Sequence, residues 1–442
     1  MYRNKLKYLE KWKSSPERKP LVIKGARQVG KTWLVREFGK GFEGYVEFNF
    51  EREPELNEVF LRGLDPRRIV SELSAVAAER IVPGKTLVFF DEVQQSLSAI
   101  KAVRYFSEEM PKLHLVAAGS LLNMVLDKVP TGVGRISYLN LYPLSFSEFL
   151  EAAGESVLAE RIRCQDVDEP LLDIHHKKLL DHVRTYMLLG GMPAVLESFF
   201  TSGDILACQK IQSDLLQSFL DDFHKYSRES GIQHLVNVFR SVPLQLGQKL
   251  KYVTVDPAVK SKTISKALTL LEMAGLVHKV YHSSADGVPL SARIRSNRFK
   301  VIFFDTGLAQ RLLNVDLKKW MTTVDISSVN RGAIAEQFVG QELATWLDAG
   351  PLSPLTYWHR ESRGSSAEVD YLLEHGERIL PVEVKEGTQG GMKSLRRFLD
   401  EKKQTAGLKI SRYGFSSDGT VVTIPFYALE RLFVEPWILL SR

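Results

Sequence analysis

The chain has 442 residues and a formal net charge of +6, with 44% hydrophobic and 25% charged residues. This is the composition of a soluble globular protein, and the length predicts about three domains. No apolar run approaches the roughly 20 residues that a membrane span needs, and the charged amino terminus has no apolar signal-peptide core, so we expect no membrane partner. Cys164 and Cys208 form no metal or redox pattern, which favours a reducing, cytoplasmic location. The charge permits a polyanionic partner without requiring one.

The first predicted elements surround a glycine-containing loop. Apolar residues three positions apart predict an amphipathic helix over residues 3–13. A short apolar strand at residues 21–24 leads into G-A-R-Q-V-G-K-T at residues 25–32, and a helical pattern follows. A strand, this G-x-x-x-x-G-K-T pattern and a helix, in that order, predict a binding site for a nucleoside triphosphate.

Each residue type in this loop suits a phosphate ligand. Glycines allow the left-handed backbone that turns successive N–H groups into one concavity, and the start of the following helix favours negative charge. The lysine can reach the β- and γ-phosphates, and the threonine hydroxyl can ligate Mg²⁺. We therefore predict that ATP binds to Gly25, Ala26, Arg27, Gln28, Val29, Gly30, Lys31 and Thr32.

Residues 85–92 predict the second half of this site. Their unbroken apolar run is typical of a central parallel strand buried on both faces, and it ends in Asp91 and Glu92. Ligands of open α/β sheets bind beyond the carboxyl ends of the strands. We predict that Asp91 holds Mg²⁺ and that Glu92 is catalytic, orienting the water that attacks the γ-phosphate. Glu92 favours ATP hydrolysis over small-molecule phosphorylation, although an acidic turn after a strand is also common.

Two more strands, at residues 45–50 and 113–118, alternate with helical patterns, which predicts the doubly wound parallel sheet of an α/β P-loop NTPase. Ser120 follows the second of them and is placed to sense the γ-phosphate, or it only completes a turn. Arg135 is predicted to contact the nucleotide, either within the chain or from a neighbouring subunit of a homo-oligomer. An ordinary surface arginine is the alternative.

Several segments resemble prokaryotic AAA-type ATPases that carry a carboxy-terminal DUF4143 region. They are G-A-R-Q-V-G-K-T, F-D-E-V-Q at 90–94, A-G-S at 118–120, P-L-S-F-S-E-F at 143–149, G-G-M-P at 190–193, F-F-D-T-G-L at 303–308 and P-V-E-V-K at 381–385. The resemblance implies four parts. These are an ATPase core at 1–144, a helical lid at 145–205, a winged-helix domain at 206–320 and a nuclease-like domain of restriction-endonuclease-like α/β fold at 321–442.

The middle of the chain fits these expectations. Apolar residues at helical spacing in 145–205 suit a lid that closes over nucleotide. A helix is predicted at 262–274, followed by wing strands at 276–281 and 290–295. Lysines at 260, 262 and 266 stand where a helix-turn-helix protein meets nucleic acid, which makes DNA or RNA a predicted partner. A winged helix can equally bind a protein partner.

A second group of polar residues lies in the carboxy-terminal part. Residues two apart on a strand share a face, so Glu383 and Lys385 point together, and a hairpin would bring Asp370 beside Glu383. Such carboxylates bind Mg²⁺ or Mn²⁺, and the lysine can place a water for phosphodiester attack. With Glu336 as a helical acid and further metal ligand, this is the E…D…ExK arrangement of PD-(D/E)xK nucleases. An ordinary ion pair between Glu383 and Lys385 is the alternative.

Two functions fit these patterns. The first is Mg²⁺-dependent ATP hydrolysis coupled to a metal-dependent nuclease domain that acts on nucleic acid. The second is a STAND-like signalling or scaffold ATPase whose carboxy-terminal domains bind a protein and cut nothing. A basic helical stretch could follow a phosphate backbone or be a solvated surface; it contains Lys393, Arg396, Arg397, Lys402 and Lys403.

Overall fold

The computed structural model describes the chain except residues 121, 127–133, 166–170, 227–230, 316–330, 349–352, 361–366, 387–391 and 435–442. The described residues form two compact units. The amino-terminal unit contains residues 2–143 and 273–275, and the carboxy-terminal unit contains residues 1, 144–272 and 276–442. The predicted division into four domains stays a prediction.

The amino-terminal unit is built around a parallel sheet. Its elements are α1 (Lys5–Ser14), β1 (Leu21–Lys24), α2 (Lys31–Gly39), β2 (Gly44–Asn49), α3 (Asn57–Leu61), α4 (Pro66–Ala77), β3 (Thr86–Asp91), α5 (Leu97–Glu109), β4 (His114–Ala118), α6 (Leu122–Leu126) and β5 (Ser137–Asn140). The five strands pair in parallel in the order β2-β3-β4-β1-β5. This confirms the predicted α/β class.

The central strands are buried because their side chains are apolar on both faces. Every residue of β3 and β4 is buried. On one face, Phe90 packs edge-on against Phe50, Phe60 and Phe106. Aromatic packing of this kind contributes large buried areas and fixes the orientation of neighbouring elements. The strand β3 therefore presents Asp91 from a rigid core at the carboxyl edge of the sheet.

The carboxy-terminal unit begins with helices and continues into a large sheet. Its helices are α7 (Phe146–Ala152), α8 (Ser156–Cys164), α9 (Asp173–Leu189), α10 (Pro193–Ser202), α11 (Ile205–Tyr226), α12 (Ile232–Leu244), α13 (Tyr252–Val255), α14 (Ser261–Met273), α15 (Thr306–Leu312), α16 (Arg331–Leu347), α17 (Lys393–Lys402) and α18 (Arg431–Val434). Ser145 and Glu148 form a capping box that starts α7. No helix among the described residues is long and apolar enough to cross a bilayer.

The sheet of this unit has eight strands of mixed direction. They are β6 (Val277–Ser283), β7 (Ile294–Phe303), β8 (Leu355–His359), β9 (Glu368–His375), β10 (Arg378–Lys385), β11 (Gly407–Ser411), β12 (Ser416–Ser417) and β13 (Val421–Pro425). Their order is β12-β13-β11-β10-β9-β8-β6-β7. The β6–β7 pair at one edge, which the sequence predicts as a wing, thus belongs to the same sheet as the strands of the carboxy-terminal region.

The predicted second wing strand at 290–295 is wrong in its first part. Residues Leu290–Arg293 form a 3₁₀ turn, and β7 starts at Ile294. The Leu290 side chain is buried in a core with Trp358, and its backbone N–H donates to the Glu374 carboxylate. These contacts come from other parts of the sheet, so alternation within the segment could not reveal them.

Candidate functional sites

The loop between β1 and α2 has the backbone that its sequence predicts. Gly25, Gln28 and Gly30 have positive φ angles of +149°, +63° and +95°, and α2 begins at Lys31. A Cβ atom on Gly25 would lie 2.2 Å from the backbone oxygen of Leu141, so only glycine fits there. This backbone directs N–H groups into the space before the amino terminus of α2.

Lys31 lies folded over its own loop. Its Nζ donates to the backbone oxygens of Gly25 at 3.0 Å and Ala26 at 2.8 Å, and the residue is only 6% exposed. Burial lowers the pKa of Lys31 to about 8, against the opposing effect of the Glu92 and Asp91 carboxylates. Both of the hydrogen-bond acceptors of Lys31 named above are neutral carbonyl oxygens, which suits the approach of an anionic ligand.

Asp91 joins the loop to the end of β3. Its Oδ2 accepts hydrogen bonds from the Thr32 hydroxyl at 3.0 Å and from Asn49 Nδ2 at 3.2 Å. Burial raises the pKa of Asp91, and the adjacent Glu92 carboxylate adds to this effect. The hydroxyl and the carboxylate are hard oxygen donors that fit Mg²⁺. The sequence reasoning missed Asn49, although it is the polar last residue of β2, the strand next to β3.

Glu92 is hydrogen-bonded to Gln94, a residue to which the sequence alone assigned no role. Gln94 Nε2 donates to Glu92 Oε2 at 2.5 Å, and Glu92 itself has a positive φ of +49°. The buried Gln94 Oε1 has no hydrogen-bond partner among the described residues. A Cβ atom on Gly119 would lie 1.9 Å from this oxygen, so a larger residue there would displace the Gln94 side chain. Gln94 thus reaches from Glu92 to the end of β4, directly before the buried Ser120.

The two arginines of the predicted nucleotide site lie in different places. Arg27 is in the loop, with its Nη2 atom 3.8 Å from Glu51 Oε1. Arg135 precedes β5, and its half-exposed side chain pairs with Glu108 at 3.0 Å. Ser137 at the start of β5 pairs with Leu21 at the start of β1, so Arg135 lies near the amino ends of these strands. The loop follows the carboxyl end of β1, at the opposite end of the strands. The structure does not bring it to Lys31, and nucleotide contact from a neighbouring subunit stays a prediction.

The second group of residues lies on adjacent strands of the large sheet. Strands β9 and β10 form an antiparallel hairpin in which Tyr371 pairs with Val382, so Asp370 and Glu383 are neighbours. Asp370 Oδ2 accepts the Val384 N–H at 2.8 Å, and Lys385 Nζ lies 2.6 Å from Glu383 Oε1. The other oxygen of Glu383 is buried and has no hydrogen-bond partner among the described residues.

A lysine that the sequence analysis missed lies among these acids. Lys300 on β7 is 2% exposed, and its Nζ lies 2.5 Å from Glu368 Oε1, 2.8 Å from Glu336 Oε1 and 3.8 Å from Asp370 Oδ1. We call Lys300, Glu336, Glu368, Asp370, Glu383 and Lys385 the acidic cluster. Glu368 was missed as well. No local pattern marks either residue, because β7, α16 and β9 meet only in the folded unit.

Burial dominates the electrostatics of the acidic cluster. It raises the pKa values of Glu336 and Glu383 to about 7 each, and it also raises the pKa of Asp370. Burial alone would lower the pKa of Lys300, but the surrounding Glu336, Asp370 and Glu368 carboxylates outweigh it and raise that pKa. The cluster therefore favours bound positive charge.

Two carboxylates of the acidic cluster, those of Asp370 and Glu383, could act as ligands of a metal ion. Over the described part of the chain, no three His, Cys, Asp or Glu side chains are arranged as a metal-binding group. Asp370 and Glu383 nevertheless supply two hard-oxygen ligands, and Mg²⁺ is often held by one or two carboxylates with water. Glu336, the third predicted ligand, is instead engaged with Lys300. The Asp370 and Glu383 pair fits a hydrated Mg²⁺ or Mn²⁺ ion.

The predicted basic surfaces differ in how far their charge is neutralised. On α17, Arg396 pairs with Asp418, Arg397 with Glu401, and Lys402 with Asp286. Around the start of α14, the predicted nucleic-acid lysines are exposed, at positions 260, 262 and 266. The α14 lysines are thus exposed, as are Lys393 and Lys403 of the predicted basic stretch.

A parallel sheet, a positive-φ loop before α2 and the Thr32–Asp91 hydrogen bond together define a P-loop NTPase. Residues 17–150 match the family described as AAA domain, and residues 331–427 match DUF4143, a domain of unknown function. Residues 180–319 match DUF8612, another domain of unknown function. The chain thus contains an AAA domain and, further along, a DUF4143 domain.

Solved structures show more distant similarity. A Walker-type ATPase of Pyrococcus abyssi has 17% identity and a TM-score of 0.46, over 70% of this chain and 95% of that chain. The ORC1 protein of Aeropyrum pernix, solved in complex with DNA, has 12% identity and a TM-score of 0.29, over 71% of this chain and 93% of that chain. No curated protein matches the chain. The AAA assignment of residues 17–150 rests on the domain match and not on these structures.

Proposed function

We propose that the amino-terminal unit hydrolyses ATP at the Gly25–Thr32 loop, with Asp91 and Glu92 completing the site. The observation that carries this proposal is the 3.0 Å hydrogen bond between the Thr32 hydroxyl and Asp91 Oδ2. It brings the phosphate loop and the acidic end of β3 together at the carboxyl edge of the sheet. Ligands of open α/β sheets bind at that edge.

Each residue has a defined task in this proposal. The loop N–H groups and the amino terminus of α2 bind the phosphates, and Lys31 contributes the positive charge that faces the β- and γ-phosphates. Mg²⁺, held by Thr32 and Asp91, would neutralise phosphate charge. Glu92 orients the attacking water, and Gln94 fixes the Glu92 carboxylate through its 2.5 Å hydrogen bond. Ser120 directly follows Gly119, which lies against Gln94, and we assign Ser120 the sensing of the γ-phosphate.

The direct test of binding is the substitution Lys31→Ala. It removes the charge that the phosphates meet, so the affinity for a fluorescent ATP analogue should fall at least about tenfold, which corresponds to about 1.4 kcal/mol. Lys40→Ala is a matched control, because Lys40 is an exposed lysine just beyond α2 that pairs with Glu37. Equal affinities of Lys31→Ala and the parent would contradict the assignment of the loop.

We further propose that the acidic cluster binds a divalent ion and cleaves a phosphodiester of DNA or RNA under control of the ATP state. The side-by-side Asp370 and Glu383 carboxylates support this, as does the buried Glu383 oxygen that has no described partner. A divalent ion there would polarise the phosphate and its attacking water. Lys385, 2.6 Å from Glu383, is placed to stabilise the charge that develops on the phosphate.

The test of cleavage uses the full chain with Mg²⁺ or Mn²⁺, with and without ATP, on single-stranded, duplex and branched nucleic acid. Asp370→Ala should abolish metal binding and cleavage, whereas Lys385→Ala should keep the metal and lose cleavage. Both variants should hydrolyse ATP like the parent, because Lys31 and Asp91 lie in the other unit. Absence of cleavage under every condition would overturn the nuclease proposal. In that event we favour the scaffold role, in which the carboxy-terminal domains bind a protein, because ion pairs neutralise Arg396, Arg397 and Lys402 on α17.

A further inference from the structure

Lys300 is an unusual occupant of a buried site. At 2% exposure its ammonium has given up most of its hydration, which costs several kcal/mol unless opposite charges surround it. Glu336 from α16 and Glu368 from β9 provide short ion pairs at 2.8 and 2.5 Å. The ring of Tyr357 lies 5.2 Å from the same nitrogen. Three elements distant in sequence thus enclose one positive charge.

The acidic cluster contains more carboxyl groups than ammonium groups. Four carboxylates surround two ammonium groups, because Lys300 contacts three of the carboxylates and Lys385 contacts the fourth, Glu383. The longest of the Lys300 distances, 3.8 Å, is to Asp370. Glu383 is 3% exposed and keeps one oxygen without a described partner. Asp370, with the longest ion-pair distance, and Glu383, with one oxygen that has no described partner, are therefore the least completely paired carboxyl groups of the cluster.

We propose that Lys300 is the resident cation of the acidic cluster and competes with a divalent ion for its carboxylates. This inference rests on the proposed metal-binding function. Lys300 holds Glu336 and Glu368 in ion pairs, so Asp370 and Glu383 receive the ion while the nearby ammonium repels it. Because Lys300 is part of the chain, its ammonium group has a high effective concentration at the cluster. A dissolved divalent ion must therefore compete with it for the carboxylates.

The test is Lys300→Met, which keeps most of the side-chain volume and removes the charge. Without metal, this variant should melt at a lower temperature than the parent, because buried carboxylates lose their counter-charge. Mn²⁺ should raise its melting temperature more than that of the parent, and Mn²⁺ affinity measured by calorimetry should rise at least roughly tenfold, since like-charge repulsion is removed. Lys279→Met is the matched control, because Lys279 is a poorly exposed lysine on β6 paired with Glu272 at 2.6 Å.

A second variant covers the case in which Lys300→Met does not fold. Lys300→Met with Glu368→Gln removes one charge of each sign and keeps Asp370, Glu383 and Glu336. It should also bind Mn²⁺ more tightly than the parent. Adding Asp370→Asn to it should abolish that gain.

The outcomes separate this inference from the function on which it rests. Equal Mn²⁺ affinity in the parent and both Lys300 variants, lost in Asp370→Asn, would overturn the role of Lys300 and leave the metal site standing. Failure of every folded variant to bind Mn²⁺ or Mg²⁺ would overturn both. A tighter, Asp370-dependent Mn²⁺ site in the Lys300 variants, with Lys279→Met unchanged, would support both.

Discussion

The Thr32 hydroxyl donates a hydrogen bond to Asp91 Oδ2 although the two residues lie 59 positions apart. The contact depends on the sheet, in which β3 and β1 both end at the edge where α2 begins. It gives the amino-terminal unit a hydroxyl and a carboxylate within reach of one Mg²⁺ ion. The catalytic and binding predictions for this unit depend on that relationship.

Asn49 should position Asp91 for metal binding. Its Nδ2 donates to the same oxygen that accepts from Thr32, at 3.2 Å. Asn49→Ala should weaken Mg²⁺-dependent ATP binding by about two- to twelvefold, the equivalent of one hydrogen bond of about 0.5–1.5 kcal/mol. Titrations with Mg²⁺ at fixed ATP measure this effect.

A matched asparagine provides the control for that prediction. Asn57 Nδ2 donates to the backbone oxygen of Pro54 at 2.9 Å and contacts no carboxylate of the site. Asn57→Ala should leave the Mg²⁺ dependence unchanged. If both variants shift the Mg²⁺ dependence equally, or neither does, Asn49 has no specific role.

Gln94 should affect turnover rather than binding. Without its hydrogen bond, the Glu92 carboxylate loses the group that orients it, so Gln94→Leu should slow hydrolysis about tenfold while ATP affinity stays close to that of the parent. Steady-state phosphate release and nucleotide titration separate the two effects. Gln95→Leu is the control, since Gln95 is exposed and adjacent. A loss of affinity without a loss of turnover would contradict the positioning role.

Glu342 predicts a pH dependence of stability in the carboxy-terminal unit. Burial raises its pKa from 4.5 to about 8, with the Glu148 carboxylate adding to the effect, and its Oε1 accepts the Phe146 N–H at 2.9 Å. Between these two pKa values the folded state binds more protons than the unfolded state. The free energy of unfolding therefore falls as pH rises through this window, by about 1.4 kcal/mol for each unit of the shift.

The measurement compares melting temperatures at about pH 5 and pH 8. Glu342→Gln keeps an oxygen acceptor for Phe146 and removes the titration, so its melting temperature should fall less between the two pH values than that of the parent. Glu197→Gln, at an exposed position of α10, should fall as much as the parent. Identical falls in parent and Glu342→Gln would show that Glu342 does not titrate in this range.

ATP should also alter the region that follows the ATPase core. The chain passes from β5 directly into α7, and the helices α7–α10 occupy the predicted lid at 145–205. We expect a non-hydrolysable ATP analogue to change hydrogen exchange in these helices and beyond residue 205. Lys31→Ala, which should bind ATP at least about tenfold more weakly, serves as the control at an analogue concentration that saturates only the parent. Identical exchange beyond residue 205 with and without the analogue would contradict coupling.

The sequence predicts features whose cause is local and misses those that depend on tertiary contacts. The loop at residues 25–32 was predictable because glycine, lysine and threonine at fixed spacing have one physical use there. Gln94 meets Glu92 after a positive φ turn, which apolar periodicity does not encode. Lys300 precedes Glu336 by 36 positions and lies beyond the predicted wing strand, which ends at residue 295. Its partners are set by the strand order of the large sheet.

The central claim is that the AAA domain hydrolyses ATP with Glu92 as the residue that orients the attacking water. Glu92→Gln keeps the size of the side chain and one acceptor oxygen, and it removes the negative charge. The most direct test measures ATP binding and single-turnover hydrolysis by this variant and by the parent under the same Mg²⁺ concentration. We predict unchanged binding with hydrolysis at least about a hundredfold slower, as expected for loss of a general base. Equal hydrolysis rates in Glu92→Gln and the parent would contradict the account.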